Sequence, residues 1–300
     1  MIENVLLVVT QVGMFAFVVA GMAAMGLGLT LSRILEPLRD ARLVVLLLLA
    51  NFVAVPLVAI AAGRILPMDE SAATAVILIG CCAGAPFLPK LAQLAKGDVA
   101  LSVGAMVLLM VVTVIYAPIV VPLAVEGAEV DPWDIASSLV VLMLIPLGIG
   151  LFIKARYEEF ADSIVANVGQ IANVGLLIGM SAALLVSWRD VLGAIGSWIF
   201  IGTALVLVAG LVAGYLAGYG RSRGDMTVTG LATAQRNIAA ALVVAASLGG
   251  DTIVLTMVGA LVIPIALIVI AGELGKRVAA ASDPGPDDGD APAAGGCCAV

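Results

Sequence analysis

The chain has 300 residues, 63% apolar and only 12% charged, with 14 Lys+Arg, 21 Asp+Glu and no histidine. An ordinary globular domain is about 45–50% apolar and about 25% charged, and a mean hydropathy of +1.21 leaves too few charges to cover a water-facing surface. The missing histidines exclude His-ligated metal and haem sites and Ser-His-Asp catalysis.

A helix needs about 20 apolar residues to cross a hydrocarbon core. In chain order there are nine such stretches, at about 5–31, 42–65, 71–95, 98–124, 133–155, 164–187, 193–219, 226–248 and 252–274. None alternates with the period of a membrane β-strand, so an all-α integral membrane bundle of nine transmembrane helices is expected. The first stretch follows Glu3 with no basic segment before it, so no cleaved signal is expected.

The joints sort the basic residues. Arg33, Arg39, Arg42, Lys96, Lys154, Arg156, Arg221, Arg223, Lys276 and Arg277 fall on one set of sides, and Arg64 and Arg189 on the other. By the positive-inside rule the first set is cytoplasmic. This predicts a multi-pass plasma (inner) membrane protein, N-terminus outside and C-terminus cytoplasmic, with an odd number of crossings. Residues 1–275 then form the transmembrane domain, and 276–300, rich in Asp, Gly, Pro and Ala, a disordered acidic cytoplasmic tail. The last residues, Cys297-Cys298-Ala299-Val300, fit a loose prenylation pattern, an ending that such a tail also produces by chance.

The third stretch contains GCCAGAPFLPK, residues 80–90. Gly84, Pro86 and Pro89 together interrupt an α-helix. Bare backbone in hydrocarbon costs several kcal/mol per group, so the break is expected to be buried in protein or to line a wet cavity. Lys90 lies six residues before Lys96, about 9 Å deeper at 1.5 Å per residue. Two readings stay open for it: snorkelling to the inner face, or a role in a cavity. Cys81 and Cys82 read as small packing residues. Gly175, Gly179, Gly210, Gly214 and Gly218, at spacings of four, read as close helix contacts.

The eighth stretch contains GLATAQRNIAAAL, residues 230–242, where Thr233, Gln235, Arg236 and Asn237 form the densest polar cluster of any stretch. An Arg near mid-depth costs at least about 2.5–3.5 kcal/mol. All 21 acidic residues fall in joints, span ends or the tail, so Arg236 has carbonyls, water or a ligand anion as partners, and both a structural and a binding reading stay open. The two breaks lie five stretches apart and so run in opposite directions. That is the arrangement of inverted repeats whose interrupted helices meet at the midplane. Half-helix N-termini and cations facing one cavity suit an anion. The expected function is secondary transport of a small organic anion by alternating access. Arg236 attracts it, Gln235, Asn237 and Thr233 donate hydrogen bonds, and Lys90 is a second candidate cation. The expected partners are that anion and lipid, with no nucleic acid and no resident cofactor. The stretches hold no acid–base pair, so an enzyme is not expected.

Several segments resemble the bile acid:sodium symporter family. GMAAMGLGLTLSRIL (21–35) looks like its Gly/Met-rich helix end, GCCAG (80–84) like its Gly-Cys-Cys-Pro-Gly, AKGDVALSV (95–103) like the loop after its first broken helix, and Gln235 with Asn237 like the Gln-Asn of its second. The resemblance covers about residues 22–272. It implies an inverted-repeat bundle with a core domain around two crossed broken helices and a panel domain. It also implies sodium coupling, and here the residues depart. The family's sodium-binding positions fall on Leu88, Pro89 and Leu231 (Ala232 if the Asn is matched instead), and its hydroxyl-rich positions on Met106, Leu109 and Met110. A hard cation wants several oxygens, so the family's usual two sodium sites are not expected and an uncoupled or differently coupled anion carrier is, with sodium itself left open. Two other readings remain: a metalloid exporter of the same fold group with Cys81 and Cys82 as soft ligands, and a non-transporting membrane receptor.

Overall fold

The structure, a computed structural model, describes residues 2–125, 131–248 and 250–282. The expected tail beyond residue 282, with Cys297 and Cys298, lies outside the described residues. Among the described residues the chain is a helical bundle without a β-strand. Six helices of the described residues are long and apolar enough to cross a membrane: Val5–Gly28, Ala41–Ile65, Val99–Ala124, Glu158–Gly193, Ile199–Ala217 and Asp251–Val278. The other three expected stretches are each made of shorter pieces.

The first of these is α5 (Glu70–Cys81) followed by α6 (Leu88–Leu94), and another is α12 (Arg223–Ala234) followed by α13 (Ile238–Leu248). Both interruptions fall inside the segments where the sequence predicts them. Pro89 does not break a helix; it sits in the first turn of α6, where its missing N–H is unneeded. Gly84, with φ +78°, carries the sharpest turn, and a Cβ there would stand 2.7 Å from the Cα of Met110. The third divided stretch is α8 (Pro132–Leu139) and α9 (Ile145–Arg156), joined through a π turn over Val140–Leu144.

A second π turn, Ala50–Ala54, joins α3 (Ala41–Leu49) to α4 (Val55–Ile65). Pro56 explains it: proline has no N–H for the Phe52 carbonyl one turn back, and its ring crowds that oxygen. The ladder widens by one residue, and Tyr116 Oη of α7 (Val99–Ala124) donates to the stranded Phe52 carbonyl at 2.8 Å.

Acidic residues at the joints start helices. Asp40, Asp69 and Asp98 accept from the N–H groups of Leu43 (3.2 Å), Ala72 (2.7 Å) and Leu101 (3.0 Å), capping α3, α5 and α7. Three of the joints expected on one side come together. Arg221 bridges Asp40 at 2.9 Å and Asp225 at 3.1 Å, and Gly97 packs near Gly224. The last helix, α14 (Gly250–Ser282), runs past the expected tail boundary at residue 276.

Packing divides the helices into two groups. The first helix, α1 (Ile2–Gly28), packs mainly on α9 and α10 (Glu158–Gly193). Glycines bring α1 and α10 to backbone contact, since a Cβ on Gly13 would lie 2.7 Å from Gly179 N and 2.9 Å from Gly175 O. The other group gathers α3–α7 and α12–α14 around α11 (Ile199–Ala217) and the two interruptions.

Candidate functional site

The two interruptions meet each other. Ala83 and Arg236 form an isolated antiparallel bridge, Asn237 N–H donates to Cys82 O at 2.9 Å, and Asn237 Nδ2 donates to Gly84 O at 3.0 Å. Thr113 of α7 patches the same bend: Ala83 N–H donates to its Oγ1 (3.1 Å), and that hydroxyl donates to Ala83 O (3.0 Å).

Arg236 lies at the centre and is fully buried (0% exposed). Its Nε donates to Ile79 O (3.2 Å), Nη1 to Asn51 Oδ1 (3.0 Å) and Thr233 O (3.1 Å), and Nη2 to Asn51 O (3.4 Å) and to Gly80 O. A guanidinium has five N–H donors, so all are used on carbonyl oxygens. Among the described residues no carboxylate pairs with it. Of the two readings open for Arg236, this arrangement favours the structural one, since each N–H is bound to a protein oxygen.

Its neighbours are committed too. Thr233 Oγ1 donates to Thr229 O (3.0 Å) and accepts from Asn51 Nδ2 (3.0 Å). Asn237 Oδ1 accepts from Ala240 N–H (3.1 Å), while Gln235 Nε2 makes a long contact to Arg236 O (3.4 Å). Among the described residues Gln235 Oε1 has no protein partner. Cys81 and Cys82 lie buried in the same region.

Lys90 stands elsewhere. It lines a cavity of about 260 Å³ between α1, α10 and the first interruption, together with Pro86, Pro89, Gln93 and Asn173. The remaining walls are mostly apolar, from Phe17, Met22, Met25, Leu29 and Val165 among others. Lys90 is half-buried and, among the described residues, has no ion-pair partner. A second, polar cavity of about 500 Å³ shares Leu29 and Val99 with the first and is lined by Arg33, Glu36, Asp40, Asp98 and Arg221. There the Asp40 carboxyl is held below the usual aspartate range, first by the Leu43 N–H and then by Arg221 against some burial.

The expected site is thus split. Pro86, Pro89 and Lys90 line the cavity, while Thr233, Gln235, Arg236 and Asn237 do not. Sequence reasoning missed Asn51, which supplies two of the oxygens around Arg236, and the cavity amides Gln93 and Asn173. The available signal was a lone amide inside an apolar stretch, a costly placement in hydrocarbon.

The architecture defines a class, a multi-pass helical membrane protein built around interrupted helices. The profile of the Sodium Bile acid symporter family matches residues 15–195, and the chain belongs to that family. The matched stretch includes the first interruption and ends before the second. Similar proteins include an uncharacterised sodium-dependent transporter of Bacillus subtilis, 27% identical over 217 residues, covering 70% of this chain and 65% of that protein. A probable chloroplastic sodium/metabolite cotransporter of Oryza sativa is 28% identical over 214 residues (69% of this chain, 49% of that protein). Sodium/bile acid cotransporter 4 of Mus musculus is 26% identical over 186 residues (57% and 40%). The chain therefore spans less than two thirds of the length of each of these relatives.

Proposed function

We propose that this chain is a secondary transporter that moves a small organic anion with an apolar body by alternating access. The observation that carries the reading is the cavity beside the first interruption, with apolar walls, two amides and one cation, Lys90, without an ion-pair partner among the described residues. A cation in a low-dielectric wall attracts a carboxylate or sulfonate, and charge-assisted hydrogen bonds are about twice as strong as neutral ones. A volume of about 260 Å³ falls just under the usual range for drug-sized ligands, about 300–1,000 Å³, which favours a small solute.

In this reading the chain crosses the membrane nine times, with α1, α9 and α10 as a panel and the interrupted helices as a core, and with the basic joints and the C-terminus cytoplasmic. Rocking of the core against the panel opens the cavity in turn to each side. The Lys90 cavity takes the role first expected of Arg236.

The family's sodium positions carry no side-chain oxygen here, since Leu88, Pro89 and Leu231 are hydrocarbon and buried. A monovalent cation placed about 4 Å from the Arg236 guanidinium would also be repelled by roughly 4 kcal/mol at an effective dielectric of about 20. The donor set does not suit sodium, and no step of the cycle is assigned to it.

The test is uptake of radiolabelled aliphatic and aromatic carboxylates into proteoliposomes, with Lys90→Gln beside the parent chain. The parent is expected to accumulate at least one of them, and Lys90→Gln to lower uptake at limiting substrate by about tenfold to hundredfold. Equal uptake by both proteins removes the cavity as the binding site. Binding without uptake supports the receptor reading instead.

A further inference from the structure

Building on that reading, we propose that Arg236 is a tethered cation, filling with its own guanidinium an oxygen cage at the helix crossing that requires positive charge, so that the carrier works without sodium. The cage arises from diverted backbone. In an unbroken helix, Ile79 O would accept from Ala83 N–H, but that group goes to Thr113 Oγ1 at 3.1 Å. Thr233 O would accept from Asn237 N–H, which goes instead to Cys82 O at 2.9 Å. Asn51 O would accept from Val55 N–H, which the π turn sends to Ala50 O. Each of these carbonyls is left without its helical partner, and each is taken by Arg236.

The charge of the cage points the same way. The C-terminal ends of α5 and α12 both stop at this crossing, and a helix C-terminus carries roughly half a negative charge. Two such ends and the Asn51 amide oxygen set negative dipole ends around the buried guanidinium, with the N-terminus of α13 starting just beyond it at Ile238. A mobile cation could neutralise those negative ends, but here a permanently charged side chain from the crossing itself does so. The five N–H groups and five acceptor positions match in number, so the guanidinium holds the centre of the cage with every donor engaged. Three buried side-chain oxygens have no protein partner among the described residues, Gln235 Oε1, Thr203 Oγ1 and Thr256 Oγ1, and none of them is a carboxylate of the kind that holds a hard cation best. The names of the relatives carry sodium, and this cage disagrees with that dependence.

The experiment uses the purified full chain in lipid nanodiscs with no organic anion present, so it reads the cage and not the cavity. Unfolding temperature is followed as sodium chloride replaces N-methylglucamine chloride at constant ionic strength. The parent is expected to show no difference between the two salts. A saturable, sodium-specific rise overturns the proposal while leaving the anion reading of the cavity standing. Arg236→Ala is expected to unfold at lower temperature and to regain about 2–4 °C on addition of guanidinium or sodium, but not of N-methylglucamine. A folded Arg236→Ala that responds to neither ion shows that the cage has no need of a cation and also overturns the proposal. Should Arg236→Ala not be recovered, Arg236→Lys keeps the charge with fewer donors. It is expected to fold and to stay insensitive to sodium, and a sodium-specific rise in that variant counts against the tether.

Discussion

The helix crossing and the cavity beside it each hold one of the two cations expected within the stretches, and they treat it in opposite ways. At the crossing, Arg236 is sealed from solvent and every N–H is bound to a carbonyl oxygen. In the cavity, Lys90 is half-buried among apolar walls and has no ion-pair partner among the described residues. The difference shows why a charge in a membrane span is not by itself a binding site. The cost of placing a cation at depth is offset either by structure or by a ligand, and the number of unused donors separates the two cases.

Five substitutions sharpen that contrast, from the largest expected effect to the smallest. Arg236→Leu leaves several buried carbonyls without donors at once, each worth about 1–3 kcal/mol. It is expected to lose most of the folded protein, read as the monodisperse yield on size-exclusion chromatography. Gly84→Ala forces a side chain into a left-handed conformation, at about 1–2 kcal/mol, and against the α7 backbone, at about 1–3 kcal/mol more. A clear drop in unfolding temperature is expected, and an unchanged one would mean the bend relaxes. Lys90→Gln is expected to do the reverse of Arg236→Leu, lowering anion uptake while the unfolding temperature stays at the parent value. If it unfolds the protein instead, the two cations are alike and the contrast is gone.

Tyr116→Phe removes one donor from the stranded Phe52 carbonyl, for an expected loss of about 1–2 kcal/mol visible as a modest fall in unfolding temperature. Asp40→Asn is the mildest. The folded carboxyl titrates below the ordinary value of about 3.9, held there by the Leu43 N–H and by Arg221. Its stabilising contribution is therefore complete above that value and fades as pH falls through the lower folded one. The difference in unfolding temperature between parent and Asp40→Asn should hold constant near neutral pH and close only in acid. A difference that closes near neutrality would contradict this assignment.

Much of the frame was legible from residues alone. Pro and Gly at 84–89 and the polar run at 233–237 marked both interruptions, because helix breaking is a local property of the backbone. The sorting of basic joints was also legible, and it brought Asp40 and Arg221 to the same end of the bundle. The role of Arg236 was not decided by its own stretch. Two of its oxygens come from Asn51, 185 positions away in the chain, so its satisfaction is a tertiary fact. The cavity was hidden for the same reason. Gln93, Asn173 and Met25 share a wall only because α1 lies against α10 through Gly13, Gly175 and Gly179. Family likeness pointed to the first interruption.

The π turn at Ala50–Ala54 makes the second crossing one residue longer than a plain α-helix of the same rise. Shortening the chain by one residue there would remove the extra residue and swing α4 by about 100° relative to α3, at 3.6 residues per turn, while Pro56 would still lack its N–H. Val55 and Ala59, now buried, would rotate away from the core, and Asn51 would pair along its own helix. A single codon deletion in this turn is thus expected to be worse tolerated than a larger change on the lipid-facing side of the same helix, because it re-aims half a helix at once.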